Sequence, residues 1–357
     1  MKIYFFVDRM KVGGVKTIIY SLISYLARKH YDCVLVVNES PIGFHVDKCD
    51  VVKVGFGLTR GSKLLTLLSA IFPAGIVALV SMSKRKDNAV IHLNSPYPTI
   101  AIAAIASSLL TRTPLVYTIH ANKSHIPTWA WFTERIIFKF ARVIIAELMV
   151  SVSDVKKLNL DSKLHYIPFG VSLLSTARVW NPTISHQYEF IAVCRLDPNR
   201  YVDVFIMSIS KLVQSGAQQV RLKIIGDGVE KERLNELVFK LGLVGNIEFC
   251  VSVPERQIQN ELVGSSCFLT ISAAGEVGMA GKIAAGICMP CIAYDISGFN
   301  SFYCADTIDG FVSLMKEMIG LNHEEKKEYG KEINRLLYSS DDQMVTAYEQ
   351  VYREMMK

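Results

Sequence analysis

The sequence has no stripe of lysine and arginine interleaved with aromatic residues, and no motif of a nucleic-acid-binding module. Its net charge is a mild +6, from 39 Lys and Arg against 33 Asp and Glu. Nucleic-acid readers present clustered positive charge, so we predict no nucleic-acid partner. The small positive excess fits a phosphorylated ligand or an anionic membrane face.

Paired cysteines are also scarce. Of the eight Cys, only Cys288 and Cys291 form a C-x-x-C, which falls at a predicted helix-to-strand turn. There is no second pair and no cluster of histidines. Zinc sites need such sets, so the pattern favours buried thiols in a reducing compartment and predicts no metal.

The sequence offers little for a targeting or membrane-spanning segment. The first apolar run is five residues long and is broken by Asp8 and Arg9, so we predict no signal peptide. Residues 64–83 are twenty residues without a charge, which is long enough to span a bilayer. Because Pro73 and Gly75 lie near the middle of that stretch, we expect a buried or interfacial helix instead.

Strand-like and helix-like patterns alternate along the chain of 357 residues. The alternation predicts a doubly wound parallel sheet in residues 1–172 and another in residues 188–338. The polar segment between them, with Pro182, is the predicted linker, and residues 339–357 are expected to form a helix that crosses back to the first domain. In detail, WAWFTERIIFKFARVII is predicted as helix and LMVSVS as strand.

Ligands of such sheets bind beyond the carboxyl ends of the strands. In the first half, Gly13 and Gly14 follow the first strand and open a helix, where backbone can approach an anionic ligand. An ordinary tight turn would look the same. His120 ends a later strand and could donate to a sugar hydroxyl, or simply cap a turn.

In the second half, Arg195 and Arg200 follow the first strand and suit a diphosphate, although solvated surface charges are the alternative. Gly226 and Asp227 begin a G-D-G that is half of a dinucleotide fingerprint, with Lys231 at the third glycine position. Neither half carries a full G-x-G-x-x-G, which disfavours an NAD-dependent dehydrogenase.

A stretch of small residues forms the last candidate site. Glu276 precedes Gly278, Met279 and Ala280, where backbone N–H groups at a helix start could approach a ligand. Lys282 is the nearest side chain expected to be exposed. The alternative for Glu276 is a carboxylate that only complements the helix dipole.

Together these segments resemble family 4 of the glycosyltransferases, and the resemblance covers nearly the whole chain. Eight segments match in the order of the family: GGV (13–15), YTIHA (117–121), SVSDVKKL (151–158), IPFGV (167–171), CRLDPNRYVD (194–203), IIGDGVEKERL (224–234), NIEFCVSVP (246–254) and GEVGMAGKIAAGICMPCIA (275–293). The resemblance implies an α/β protein of the GT-B fold, with two Rossmann-like domains facing across a cleft. It implies an acceptor-side domain first and a nucleotide-sugar domain second.

By the same resemblance, the chain would transfer a sugar from a nucleotide-sugar donor to an acceptor hydroxyl, with retention and without metal or other cofactor. Arg195 and Arg200 would neutralise the donor diphosphate. Gly13 and Gly14 would leave room for the donor, and His120 would contact its sugar.

Glu276 would bind hydroxyls of the donor sugar, and the backbone around Val253 would contact the base. The sequence departs from the family pattern in several places. Phe169 replaces the usual Asn, Tyr201 a Gly, and Val251 a common Gly.

The largest departure is the missing second Glu, normally a clamp on the donor ribose. Ile283 and Ala284 stand in its place. Losing one hydrogen bond to a charged group costs roughly 1.5–3 kcal/mol, which weakens binding without removing phosphate neutralisation. We therefore expect an active enzyme, with Lys282 as an extra phosphate or carboxylate partner.

The segment HIPTWAWFTERIIFKFARVII mixes aromatic residues such as Trp129 and Phe132 with Arg135 and Lys139. An interfacial helix has this composition, and so does an aromatic face packed on the sheet. The resemblance favours a peripheral protein on the cytoplasmic face of the bacterial inner membrane. Its acceptor would be a lipid-linked glycan of a surface polysaccharide, such as capsule or lipopolysaccharide O-antigen.

Two other functions stay open at this point. One is a non-catalytic partner that binds nucleotide sugars for another transferase, which the missing Glu would suit. The other is a different enzyme on the same fold, such as a nucleotide-sugar epimerase.

Overall fold

The computed structural model describes residues 1–8, 14–38, 45–53, 88–120, 128–173, 180, 188–272, 277–296 and 303–356. The chain divides into two compact units. Unit 1 comprises residues 1–169 and 341–357, and unit 2 comprises residues 170–340. The last helix of the chain therefore belongs to the first unit.

Unit 1 contains a parallel sheet. In the described part of the chain its seven strands are β1 (Lys2–Val7), β2 (Asp32–Val37), β3 (Cys49–Lys53), β4 (Ala89–Leu93), β5 (Leu115–Ile119), β6 (Val143–Ala146) and β7 (Leu164–Tyr166). Their order across the sheet is β3-β2-β1-β4-β5-β6-β7, and neighbouring strands pair in parallel. The order reverses direction between β1 and β4, which defines the topological switch point of this sheet.

Five helices accompany this sheet in the described residues. They are α1 (Gly14–Arg28), α2 (Pro98–Thr111), α3 (Thr128–Phe140), α4 (Met149–Lys156) and, at the end of the chain, α11 (Asp341–Glu354). The apolar residues of α1 at 18, 19, 22, 23 and 26 recur at helical spacing, and all five are buried. The core lies between such helix faces and the strands.

Unit 2 repeats the architecture. Its strands are β8 (Tyr188–Val193), β9 (Val220–Ile225), β10 (Ile247–Cys250), β11 (Cys267–Ser272), β12 (Cys291–Asp295) and β13 (Cys304–Ala305), in the parallel order β10-β9-β8-β11-β12-β13. Its helices are α5 (Val202–Gln214), α6 (Lys231–Lys240), α7 (Glu255–Val263), α8 (Met279–Gly286), α9 (Ile308–Gly320) and α10 (His323–Leu337). The switch point lies between β8 and β11.

The prediction of two doubly wound α/β domains is confirmed. Two predicted elements are wrong. The helix predicted through residue 145 ends at Phe140, because Val143–Ala146 pairs with β5 as a central strand. The predicted strand LMVSVS is instead helix α4. β3 and β13 were not predicted.

The predicted linker contains a core residue. Trp180 is fully buried in unit 2, and its indole Nε1 donates to the carbonyl oxygen of Ser265 at 2.8 Å. Its backbone N–H donates to the carbonyl oxygen of Ile287 at 2.9 Å. The segment therefore contributes to the second core, which its polar composition did not indicate.

No helix in the described part of the chain is long and apolar enough to cross a membrane. The apolar stretch at 64–83 lies outside the described residues.

Candidate active site

In unit 1, polar residues directly follow three neighbouring central strands. Asn94 follows β4, His120 follows β5, and Glu147 follows β6. Parallel strands bring their carboxyl ends to one edge of a sheet. The fold therefore places these three side chains side by side, next to the switch point.

The His120 ring is held from both sides. Its Nδ1 lies 2.7 Å from the Oε2 carboxylate oxygen of Glu147, and its Nε2 lies 3.1 Å from Oδ1 of Asn94. The Asn94 amide Nδ2 donates to the backbone oxygen of His92 at 3.2 Å, which orients Oδ1 toward the ring. The side chains of His120 and Glu147 are almost completely buried. Of the two interpretations left open for His120, a simple turn cap does not describe this arrangement.

A buried polar chain continues behind the ring. Glu147 accepts from the phenol of Tyr348 on α11 at 3.0 Å, and that phenol lies 3.3 Å from the Thr118 hydroxyl. The hydroxyl lies 2.7 Å from Nε2 of His92, whose Nδ1 lies 2.7 Å from the phenol of Tyr352. Burial, with a smaller contribution from the nearby His120, lowers the pKa of His92 well below its usual range, so His92 is neutral.

In unit 2, the loops after β8 and β9 are joined by backbone hydrogen bonds. Leu196 N–H donates to the Asp227 carbonyl at 2.9 Å. A side chain at Gly226 would collide with the carbonyl of Cys194, and one at Gly228 with that of Leu196. The G-D-G therefore has a packing reason that does not require a ligand. A donor contact by Gly226 or Asp227 stays a prediction.

The two arginines of this loop lie in different environments. Arg195 is 68% exposed, and its Nη1 pairs with Oδ2 of Asp197 at 2.8 Å. Arg200 is half-buried, and its Nε is buried without a hydrogen-bond partner in the described residues. Burial raises the pKa of the neighbouring Cys194 thiol to about 11, and the positive charge of Arg200 opposes that rise. Arg200 thus has a buried N–H group without a partner in the described residues.

A second such atom lies across the switch point. The Ser272 hydroxyl, at the end of β11, is buried without a partner in the described residues. Buried polar groups are normally hydrogen-bonded. Two of the six side-chain atoms that break this rule among the described residues lie in the strand ends and loop of this one switch point.

Helix α8 begins just beyond β11. Gly278 is its N-cap, and a Cβ at Gly278 would meet open space in the described structure. Met279 is partly buried and Ala280 is buried. The expectation that Lys282 is exposed is wrong, because its residue is only 3% exposed. A phosphate or carboxylate contact by Lys282 stays a prediction.

For four other predicted site residues, the structure gives a position at most and no contact that would mark a binding site. Gly14 is the first residue of α1, and Val253 is partly buried in the loop after β10. Gly13 and Glu276 lie outside the described residues. The described residues contain no group of three or more His, Cys, Asp and Glu that could hold a metal ion. Metal independence stays a prediction.

Sequence reasoning missed Asn94, Glu147 and Tyr348. The available signal for Asn94 was its position as a polar residue directly after the apolar run that forms β4. Glu147 could not be recognised as a residue that follows a strand, because β6 was predicted as the end of a helix. No sequence signal marked Tyr348, which is 201 residues away from Glu147.

Doubly wound parallel sheets form a class of α/β proteins whose ligands, commonly nucleotides, bind at the topological switch point. The sequence model described as Glycosyltransferase Family 4 matches residues 12–173, and the one described as Glycosyl transferases group 1 matches residues 179–349. The chain therefore belongs to glycosyltransferase family 4, as its motifs predicted, and it is an enzyme of the sugar-transferring class.

One curated relative is a Campylobacter jejuni enzyme, GalNAc-α-(1→4)-GalNAc-α-(1→3)-diNAcBac-PP-undecaprenol α-1,4-N-acetyl-D-galactosaminyltransferase. It is 22% identical over 252 residues, which cover 68% of this chain and 66% of that protein, just under two thirds of its length.

Two solved structures share the fold. A glycosyltransferase from Rickettsia africae has a TM-score of 0.77 at 16% identity, covering 100% of this chain and 98% of that one. The Anabaena protein Alr3699/HepE, crystallised in complex with UDP, has a TM-score of 0.76 at 14% identity, covering 99% and 100%. The two sequence models and the curated relative do not favour a non-catalytic partner or an epimerase.

Proposed function

We propose that this chain transfers a sugar from a nucleotide-sugar donor to a lipid-linked glycan, with retention at the anomeric carbon and without a metal. The donor diphosphate would lie at the carboxyl edge of the sheet of unit 2, at its switch point. The observation that carries this proposal is the guanidinium of Arg200, whose buried Nε has no partner in the described residues.

The chemistry follows from charge. When the bond between sugar and diphosphate breaks, negative charge accumulates on the leaving phosphate oxygens. A fixed guanidinium stabilises that charge better than water does, because it needs no reorganisation during the reaction. The N-terminal end of α8, with Gly278 open to approach, would add a second positive potential. Arg195 would contribute less, because it is exposed and already paired.

The relatives support the substrate classes. HepE was crystallised with UDP, and the Campylobacter enzyme carries an undecaprenol-linked acceptor in its name. A lipid-linked acceptor would place this chain at the cytoplasmic face of a bacterial inner membrane, in assembly of a surface polysaccharide.

A thermal-shift screen with UDP, GDP and dTDP sugars tests donor binding. At a ligand concentration of about 100 times the Kd, binding adds about 2.7 kcal/mol of stability, which raises the unfolding temperature measurably. We expect one nucleotide class to do so in buffer with a chelator, and Arg200→Gln to reduce the shift. If no nucleotide sugar raised the unfolding temperature, the proposal would be ruled out.

Turnover is then measured with the stabilising donor and an undecaprenol-linked glycan. Release of free nucleotide that depends on the acceptor is expected, and the coupling constant of the new anomeric proton should report retention. Donor binding without release would instead indicate the non-catalytic alternative.

Helix α3 carries the surface suited to the membrane. Trp129, Phe132, Ile136 and Phe140 are exposed, and their spacing places them on one face of the helix. The helix also packs inward through Ile137 and Phe138, which belong to the core of unit 1. One face of α3 is thus packed on the core, and the exposed face is the one we propose for the membrane interface.

Cations border this exposed face. A groove of about 440 Å³ beside it is lined by Phe132 and Ile136 together with Arg135, Lys139 and Lys163. Apolar side chains flanked by cations bind the interface of an anionic bilayer through both burial and charge. We therefore place the membrane contact of the proposed enzyme on α3.

Vesicle flotation tests this contact. The protein should float with phosphatidylglycerol vesicles, and the double variant Phe132→Ser/Ile136→Ser should bind several-fold less. Phe239→Ser, at an exposed phenylalanine of α6 in unit 2, is the matched control and should float like the wild type. Protein that stays wholly at the bottom of the gradient, or an equal loss in the control, would contradict the assignment.

A further inference from the structure

Glu147 joins the last helix of the chain to the proposed sugar-contacting histidine. Its Oε2 lies 2.7 Å from Nδ1 of His120, and its Oε1 accepts the phenol of Tyr348 at 3.0 Å. Glu147 is 2% exposed and Tyr348 is fully buried. A buried carboxylate with one oxygen on each partner is fixed in position, because rotating it would break both bonds.

The direction of each hydrogen bond follows from the available protons. The Tyr348 phenol has one O–H proton, and it donates a hydrogen bond through that proton to the Glu147 carboxylate, which can only accept. The second carboxylate oxygen faces His120 and also needs a donor. The Glu147 carboxylate is therefore satisfied only when Nδ1 of His120 carries a proton, whereas the contact of Nε2 with Asn94 Oδ1 is a hydrogen bond only when Nε2 is protonated too.

Without Glu147, the proton of the neutral His120 ring would lie on Nε2 rather than on Nδ1. Asn94 presents its Oδ1 acceptor to Nε2 of His120 at 3.1 Å. A neutral imidazole has a single proton, and Asn94 alone would draw it to Nε2. Glu147 is thus the group that keeps the Nδ1 proton in place.

We infer that Glu147 and Tyr348 are positioning residues for His120, so that α11, from the far end of the chain, completes the site of unit 1. Glu147 sets the Nδ1 proton and the ring orientation, and Tyr348 fixes the carboxylate. A catalytic role for His120 rests on the proposed function, but its proton position does not.

Histidine ¹⁵N NMR tests the proton position without any turnover. In wild type, the His120 resonances, assigned by their loss in His120→Gln, should show a protonated Nδ1. Glu147→Leu removes the acceptor with little change in side-chain volume, and should move the neutral proton to Nε2. Wild-type His120 with Nε2 protonated and Nδ1 bare would overturn the inference, whether or not the protein is a transferase.

Kinetics test the positioning. Glu147→Leu and Tyr348→Phe should lower kcat on the order of tenfold to a hundredfold with little change in donor KM, because a misplaced group loses rate rather than binding. Glu147→Gln, which can still accept from Nδ1 through its amide oxygen, should restore part of the rate. In a His120→Ala background, Glu147→Leu should cause no further loss.

The chain offers a matched control. Tyr117 donates to Glu134 at 2.6 Å in the same unit, also buried, without contacting His120. Tyr117→Phe should leave the His120 resonances and kcat unchanged. Equal losses in this control, or additive losses of Glu147→Leu and His120→Ala, would show a general packing effect and overturn the positioning role.

Discussion

Arg200→Gln is expected to lower the rate of sugar transfer by about 10²–10³-fold, the range found when one fixed donor to developing negative charge is removed. Glutamine keeps part of the side-chain length and removes the charge. The buried Nε has no partner in the described residues, so its loss should leave the folded protein intact. The measurement is kcat/KM for nucleotide release, alongside an unfolding curve of each variant.

Arg195→Gln provides the comparison. Arg195 is exposed and shares its charge with Asp197, and exposed pairs contribute little because water screens them. We therefore expect a loss of no more than about tenfold. If Arg195→Gln were as damaging as Arg200→Gln, the assignment of the phosphate to the buried arginine would be wrong.

The fold was predictable because its signals are local. Alternation of apolar runs with amphipathic segments predicts two doubly wound sheets, and the buried face of α1 matches its sequence period. The prediction for β6 was wrong for a physical reason. A central parallel strand is buried on both faces, so it reads as a continuous apolar run, and Val143–Ala146 therefore merged with the helix before it.

The site was only half predictable. His120 could be found because it ends a strand, whereas its partners Glu147 and Tyr348 meet it through the fold alone. The left-handed Tyr201, with φ of +48°, is a similar case. The family pattern has glycine there, and the backbone explains why, because this region favours glycine. The sequence alone showed a departure without its conformational meaning.

Glu349 lies on α11, the helix that also contains Tyr348. We expect the stability of this helix to depend on the negative charge of the Glu349 carboxylate. Its carboxylate accepts from Lys29 at 2.6 Å, Arg353 at 2.7 Å, and the phenols of Tyr31 and Tyr25 at 2.8 and 3.1 Å. Burial by itself would raise its pKa, but these four donors outweigh burial and lower the pKa from 4.5 to about 2.

The sign of the pH effect follows. Above the unfolded-state pKa near 4.5 the carboxylate is ionised in both states, and its folded-state bonds are fully present. As the pH falls from about 4.5 toward about 2, the unfolded chain takes up a proton first, and the contribution is lost. A shift of this size sets an upper limit of about 3 kcal/mol at neutral pH, because water screens the charges of the exposed Lys29 and Arg353.

Glu349→Gln should therefore reduce the protection of amides in residues 341–354 against hydrogen exchange at pH 7 by up to about 3 kcal/mol. The difference from wild type should shrink as the pH is lowered below 4.5. Glu354→Gln, on the same helix but exposed, is the control and should change little.

Because Tyr348 lies one residue before Glu349, loosening this helix should also free the carboxylate of Glu147. The Glu349 variant should then lose the Nδ1 proton of His120 in proportion to its lost protection. Full loss of protection with an unchanged His120 signal would show that α11 is bound by Glu349 but does not hold the histidine.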